Sequence, residues 1–213
     1  MSLFHDRVDA GRPLADLLHA AGMGDEVVVL GLPRGGVPVA SEVARVLGAP
    51  LDVIIVRKLG VPFEPELAMG ALGEDGVRVD NEGVMGSAAL SVSDMEAIVA
   101  QEEAELVRRA RRYREGRPRL ELQGRCAVIV DDGIATGSTA RAACRVARAH
   151  GAVRVVLAVP VAPKATALAL HDEYDDVFSV ASPERFFAVG EWYDDFTPTS
   201  DAEVVELLRN PQL

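Results

Sequence analysis

Two adjacent carboxylates, Asp131 and Asp132, close an apolar run in the stretch VIVDDGIATGSTARAA (residues 128–143), and small and hydroxylated residues follow at once. Paired acids repel each other, and a loop this rich in small residues packs no core, so the pattern calls for a partner outside the chain. The acids offer acceptors for hydroxyl groups or a metal ion. Thr136, Ser138 and Thr139 add hydroxyl donors, while Gly133 and Gly137 let the backbone approach closely. A helix starting at the end of this loop would turn its free N–H groups and positive end into the same crevice, which makes a phosphate cradle. A ribose 5-phosphate satisfies both halves at once. The plain alternative is that the acids only cap the next helix, a position Asp favours. The attached Thr-Gly-Ser-Thr sequence is more than a cap requires.

Other phosphate-binding patterns fit less well. A P-loop needs GxxxxGK[ST], and no Lys stands in this loop. A dinucleotide fold wants GxGxxG after its first strand and an acid ending its second. Here GLPRGG (residues 31–36) has different glycine spacing, and Arg57 and Lys58 stand where the acid would be, so that only a 2′-phosphate contact by Arg57 would remain of that reading. His5, His19, His150 and His171 are scattered and suggest no nucleophilic constellation.

Strands and helices in alternation would position these residues. Apolar runs at 26–32, 52–58, 125–132, 153–162 and 176–181 alternate with helical patterns at 37–48, 138–151, 164–174 and 201–210. A helical stretch at 13–21 precedes them. Residues 59–83, rich in Gly and Pro, read as loop with short strands, and 93–116 as a long helix with Ser93 as its N-cap. The strands are continuous apolar runs rather than alternating ones, as a parallel sheet covered on both faces requires. The expected fold is therefore α/β: an open, mainly parallel twisted sheet with helices on both faces. In such sheets ligands bind beyond the carboxyl ends of the strands, which is where Asp131 and Asp132 fall.

Composition narrows the function classes. A chain of 213 residues, 49% hydrophobic, has ample material for one core. A net charge of −11 argues against nucleic acid as a partner. No apolar run reaches a membrane span, the start MSLFHDRVDAGRP lacks the apolar core of an export signal, and Cys126 and Cys144 suggest neither zinc nor a disulfide framework. These features lead us to expect a cytoplasmic protein. Against the acidic balance, residues 107–119 carry a run of arginines. Glu102, Glu103 and Glu105 one turn ahead make it a solvated helix face, the alternative being a basic flank for an anionic ligand or a subunit.

The stretch VIVDDGIATGSTA resembles the PRPP-binding signature of type I phosphoribosyltransferases: an apolar strand, two acids, three spacers, then Thr-Gly. The resemblance extends over about residues 26–195, and the order of GLPRGG and then VRKLG is similar to uncharacterised bacterial members. It implies one domain over 1–213, with 59–119 a family-variable insertion and 182–213 a hood. It further implies that Asp131 and Asp132 contact the ribose hydroxyls and that Ala135, Thr136, Gly137, Ser138 and Thr139 hold the 5-phosphate. Residues 32–36, with Arg34, Gly35 and Gly36, would hold pyrophosphate, through a strained peptide bond in many relatives, and Arg57 and Lys58 would approach it. Arg34, Lys58, Asp131 and Asp132 would then be the catalytic set, with Mg2+ as cofactor. The segment RFFAVGEWYDDF (residues 185–196) resembles the purine-side segment of hypoxanthine-type enzymes, which would place Phe187 and Trp192 at the acceptor and Asp194 toward magnesium. Those enzymes carry an acid where this chain has Ala135, so the acceptor stays open. The implied activity is transfer of phosphoribose from PRPP to a nitrogenous base. The competing expectation is a PRPP- or nucleotide-sensing protein without turnover. Partners would be small molecules, with neither nucleic acid nor membrane involved and a homodimer left open.

Overall fold

The computed structural model describes residues 2–61, 64–80 and 92–209. Its centre is a five-stranded sheet in the order β2-β1-β6-β7-β8, with every neighbouring pair parallel. The strands are β1 (Val27–Gly31), β2 (Leu51–Val53), β6 (Cys126–Val130), β7 (Arg154–Val161) and β8 (Asp176–Ala181). Alternate residues along them feed two separate cores. Val27, Val29, Val128, Val130, Val156 and Ala158 face one core. Val28, Leu30, Ala127, Ile129, Val155 and Leu157 face the other. Because both faces of β1, β6 and β7 are buried, these strands read as nearly unbroken apolar runs; the buried Asp52 in β2 is an exception, paired with Arg114.

Helices α1 (Arg7–Ala20) and α2 (Gly36–Leu47) cover the first face together with α3 (Val92–Arg114) and α6 (Asp201–Arg209). Helices α4 (Ser138–Ala149) and α5 (Lys164–Leu170) cover the second. Helix α1 begins at Arg7, earlier than its sequence pattern suggested. Asp6 caps it, accepting the Asp9 N–H at 2.8 Å, and Pro13 is carried inside it.

The apolar run at 52–58 is not one strand. β2 stops at Val53, which pairs with Gly31, the last residue of β1. Beyond that point the edge has no strand left to pair with, since the chain after Gly31 turns away toward α2. The chain leaves the sheet through Ile54–Val56 and enters a second, antiparallel sheet of β3 (Arg57–Val61), β4 (Glu64–Leu72) and β5 (Arg78–Asp80). Residues 59–83 were expected as loop with short strands; β4 is a full nine-residue strand. The Ser93 cap lies outside the described side chains.

The arginine-rich stretch divides into two roles. Arg108, through Nε and Nη2, and Arg109, through Nε, donate to Glu105 on the solvent side, and these hydrogen bonds hold the pKa of its carboxyl at about 2. Arg114 is buried instead. Its guanidinium bonds Asp52 at 2.8 and 3.0 Å, the Val53 carbonyl at 2.9 Å, and Glu74, tying α3 and the second sheet to the rim of the first.

Candidate functional site

Strands β1 and β6 lie side by side at the middle of the sheet, so their outgoing loops share one crevice. The Leu32 N–H donates to the Val130 carbonyl at 2.8 Å, extending the pairing one residue past β1. The chain then turns through Pro33–Gly36 directly against the acids. A Cβ on Gly36 would stand 2.5 Å from the Val130 oxygen and 2.8 Å from the Asp131 Cα; one on Gly35 would stand 2.0 Å from Asp132 Oδ2. Only glycines allow this approach. The peptide joining Pro33 to Arg34 is cis.

Asp131 and Asp132 leave the end of β6 partly buried. The Asp132 N–H donates to Asp131 Oδ1 at 2.9 Å, folding that carboxylate back on the turn. Burial first, and the Asp132 carboxylate second, hold the Asp131 carboxyl well above the ordinary carboxylate range. Asp132 is neutralised by Arg7, whose Nε donates to Oδ2 at 2.8 Å. The Tyr193 hydroxyl donates to the Asp132 carbonyl.

Beyond the acids the loop reaches α4. Gly137 is its N-cap, in the left-handed conformation at φ +75°, with no side chain of its own to cap the helix; the Thr136 hydroxyl accepts the Ser138 N–H only at a long 3.5 Å. The first N–H groups of α4 thus lack intrahelical partners and point into the loop. Asp131, Ile134, Thr136, Ser138, Thr139 and Val189 line a cleft of about 250 Å³ over them. The Thr166 hydroxyl, from α5, donates to the Ala135 carbonyl at 2.9 Å and fixes the loop from behind. The arrangement offers N–H and hydroxyl donors on one side and carboxylate acceptors on the other. Groups of these two kinds, so placed, have the chemistry to receive a phosphorylated polyol.

The structure thus brings together Gly35, Gly36, Asp131, Asp132 and residues 135–139. Arg34 stands on the rim, half-exposed, with its Nη1 3.9 Å from Asp201 Oδ1 at the start of α6. Asp201 is itself held by the Tyr113 hydroxyl at 2.9 Å and by Arg112 at 3.0 Å. Arg57 and Lys58 do not end a strand of the main sheet; they open β3, where Arg57 pairs with Glu102 of α3. Phe187 is 84% exposed and Trp192 stacks on Phe186 at 6.3 Å; neither lines the cleft. Asp194 also stays outside. The backbone at Tyr193 is extended, so with the Tyr193 ring turned in toward Asp132 its neighbour turns out, where Asp194 meets Ser2 and His5.

Sequence reasoning missed Arg7, Tyr193 as a partner of Asp132, Thr166, Val189 and Asp201. Arg7 and Asp132 are 125 residues apart, and no local pattern links them. The one available signal was the aromatic cluster at 186–196, which supplies Tyr193 and Val189 rather than an exposed stacking ring.

Comparison with known proteins bears on this site. The phosphoribosyl transferase domain family matches residues 5–195. Two curated proteins of Mycobacterium tuberculosis, from strains CDC 1551 and H37Rv and provisionally named phosphoribosyl transferases, are each 60% identical over 208 residues. The match takes in 98% of this chain and 47% of theirs, so the chain spans about half the length of these relatives. The crystal structure of TT1426 from Thermus thermophilus is 44% identical, with a TM-score of 0.88 covering 96% of this chain and 97% of that one.

Proposed function

Given that this chain belongs to the phosphoribosyl transferase family, we propose that it transfers phosphoribose from PRPP to a nitrogenous base, with magnesium, releasing pyrophosphate. The observation that carries the reading is the convergence of two phosphate-type loops on one acid pair: Pro33–Gly36 packed against Asp131 and Asp132, and the uncapped start of α4 just beyond.

In this reading the N–H groups of Gly137, Ser138 and Thr139, with the Thr136 hydroxyl, hold the 5-phosphate. Asp131 and Asp132 accept from the ribose hydroxyls, which anchors the sugar with C1 toward the Pro33–Gly36 turn. The bond from C1 to the pyrophosphate oxygen breaks, the ring becomes cation-like, and a nitrogen of the acceptor closes on C1. Negative charge accumulates on the departing pyrophosphate. The Arg34 side chain and the N–H groups of Arg34 and Gly35 stabilise it, the Gly36 N–H being given to the Leu32 carbonyl at 3.0 Å, and positioning with electrostatics is the main source of rate. No protein nucleophile is needed.

Magnesium suits the donor set. Among the described residues no group of three or more His, Cys, Asp or Glu side chains converges as a self-sufficient metal site. An ion that keeps its waters and binds mainly through substrate phosphates matches a cleft of this kind. When bound it would neutralise charge on the pyrophosphate. The partners proposed are PRPP and the acceptor, in a cytoplasmic setting; among the described residues no helix is long and apolar enough to cross a membrane.

One observation favours a sensor that binds without turnover. The carbonyl of Ala135 is taken up by Thr166, and the Ala side chain offers an acceptor base no acid or donor. A screen for pyrophosphate release from PRPP across purine and pyrimidine bases separates the two. Turnover with any base supports the transferase. Tight PRPP binding with no release for every base supports the sensor, and no PRPP binding defeats both.

A further inference from the structure

Arg7 takes no part in the mechanism above, yet it has the most fully engaged side chain around the acids. Its Nε donates to Asp132 Oδ2 at 2.8 Å and its Nη1 to the Thr197 carbonyl at 2.8 Å, while its Cζ lies 4.0 Å from the centre of the Phe196 ring. The Arg7 and Asp132 side chains are only 11% and 15% exposed. A Cβ on Gly35 would crowd the same carboxylate oxygen and would also lie 3.1 Å from Arg7 Nε, so no side chain fits between the turn and this ion pair. Tyr193, four residues before Thr197, holds the Asp132 main chain by its carbonyl. Asp132 is thus gripped at its carboxylate from the start of α1 and at its backbone from the segment leading to α6.

We propose that Arg7 is a positioning residue for Asp132: its planar guanidinium, braced by Phe196 and Thr197, fixes the carboxylate in the orientation that receives the ribose hydroxyls. The inference rests on the proposed PRPP site. The physical reason is the fork of the guanidinium. One edge aims at a carboxylate oxygen, and the other is anchored on a main-chain carbonyl, so the charge is held in direction as well as in place. An ammonium on a flexible stem would supply the charge without the direction. Arg7 touches neither the sugar nor the phosphate in this scheme, and its whole effect passes through Asp132.

A double-mutant cycle on the full chain isolates that effect. Calorimetric titration with magnesium-PRPP is expected to show R7Q weakening binding about tenfold in the wild-type background, the scale of one charge-assisted hydrogen bond. In the D132N background R7Q is expected to add no further loss, because the carboxylate it orients is gone. R7K is expected to fall between wild type and R7Q. Equal losses in both backgrounds would mean that Arg7 serves the general fold, and would overturn the proposal. If R7Q fails to fold, R7K replaces it, and wild-type affinity in R7K is then the overturning result. A crystal structure of the variant supplies a readout that needs no ligand: the Asp132 carboxylate should leave its wild-type orientation, and an unchanged carboxylate refutes the role. Wild-type protein that binds no PRPP would defeat the proposed function, while the orientation of Asp132 in the variant still decides the role of Arg7.

Discussion

Replacing Gly35 by Ala tests whether the turn after β1 and the acid pair form one site. The backbone at Gly35 has φ −63° and ψ −32°, a conformation any residue adopts, so the glycine is there for space alone. The added methyl would fall 2.0 Å from Asp132 Oδ2 and 3.1 Å from Arg7 Nε, far inside contact distance of both members of the ion pair. The atom in the way is the end of a carboxylate side chain, which can rotate, so the fold survives and the cost falls on the Arg7–Asp132 hydrogen bond. A hydrogen bond between charged groups contributes roughly 1.5–3 kcal/mol. If the ribose contact depends on the displaced carboxylate to the same extent, affinity for magnesium-PRPP drops by about one to two orders of magnitude. Gly48→Ala is the matched control. Gly48 closes α2 at φ +65° with no atom within 4 Å of an added Cβ, so it needs its conformation rather than its space. That variant should lose about 1–2 kcal/mol of stability, read as a melting point lowered by roughly 2–8 °C, with PRPP affinity unchanged. Calorimetry and thermal melts on the two variants give the comparison. A Gly35→Ala protein that binds PRPP like wild type would refute the reasoning that places Asp132 in the site.

Three other perturbations address separate parts of the structure. Asp131→Asn should weaken PRPP binding by about tenfold or more while raising the melting temperature of the ligand-free protein near pH 8. Burial holds this acid's pKa above its unfolded value of about 3.9, so ionising it costs the fold stability that grows as pH rises through the raised value and vanishes below the unfolded one; an unchanged or lower melting point would contradict that. Arg34→Ala should lower turnover by roughly a hundredfold with little change in the Kd for PRPP, since its charge is needed most as pyrophosphate departs; equal losses in both would assign Arg34 to ground-state binding. Arg114→Met leaves Asp52 and Glu74 buried without their cation, and urea denaturation should show about 3–5 kcal/mol less stability; a loss below about 1 kcal/mol would mean the trio contributes little.

Much of the site's skeleton was legible because its signals are local. The run CAVIV, the acids after it and the Thr-Gly-Ser-Thr turn into a helix are contiguous, so spacing alone placed the glycine- and hydroxyl-rich loop beside the acids at the strand end. The parallel sheet was legible for a similar reason, since strands buried on both faces leave an unmistakable composition. What failed depended on contacts across the chain. Arg57 and Lys58 looked like the end of a sheet strand because Ile54, Ile55 and Val56 continue the apolar run, but these residues bridge two sheets, and apolar character marks burial, not pairing. Arg114 looked like one more solvated arginine, because its partners Asp52 and Glu74 come from distant segments. Phe187 was chosen for its chemistry as a ring, whereas the fold uses Tyr193 from the same cluster, through its hydroxyl.

The adjacency of β1 and β6 has a consequence for how a ligand would be felt by the whole molecule. Gly31 and Val130 are register partners, yet all three strands of the second sheet and α3 lie between them in the chain. The two loops can therefore meet only when the central pair of the sheet is formed, and no partly folded fragment holding one loop contains the site. A ligand that requires both loops binds the fully folded chain alone, and at a hundred times its Kd it adds about 2.7 kcal/mol to the free energy of global unfolding. In native-state hydrogen exchange that increment should appear in full at the slowest amides of β1 and β6, on opposite sides of the long excursion, and by the same amount in each.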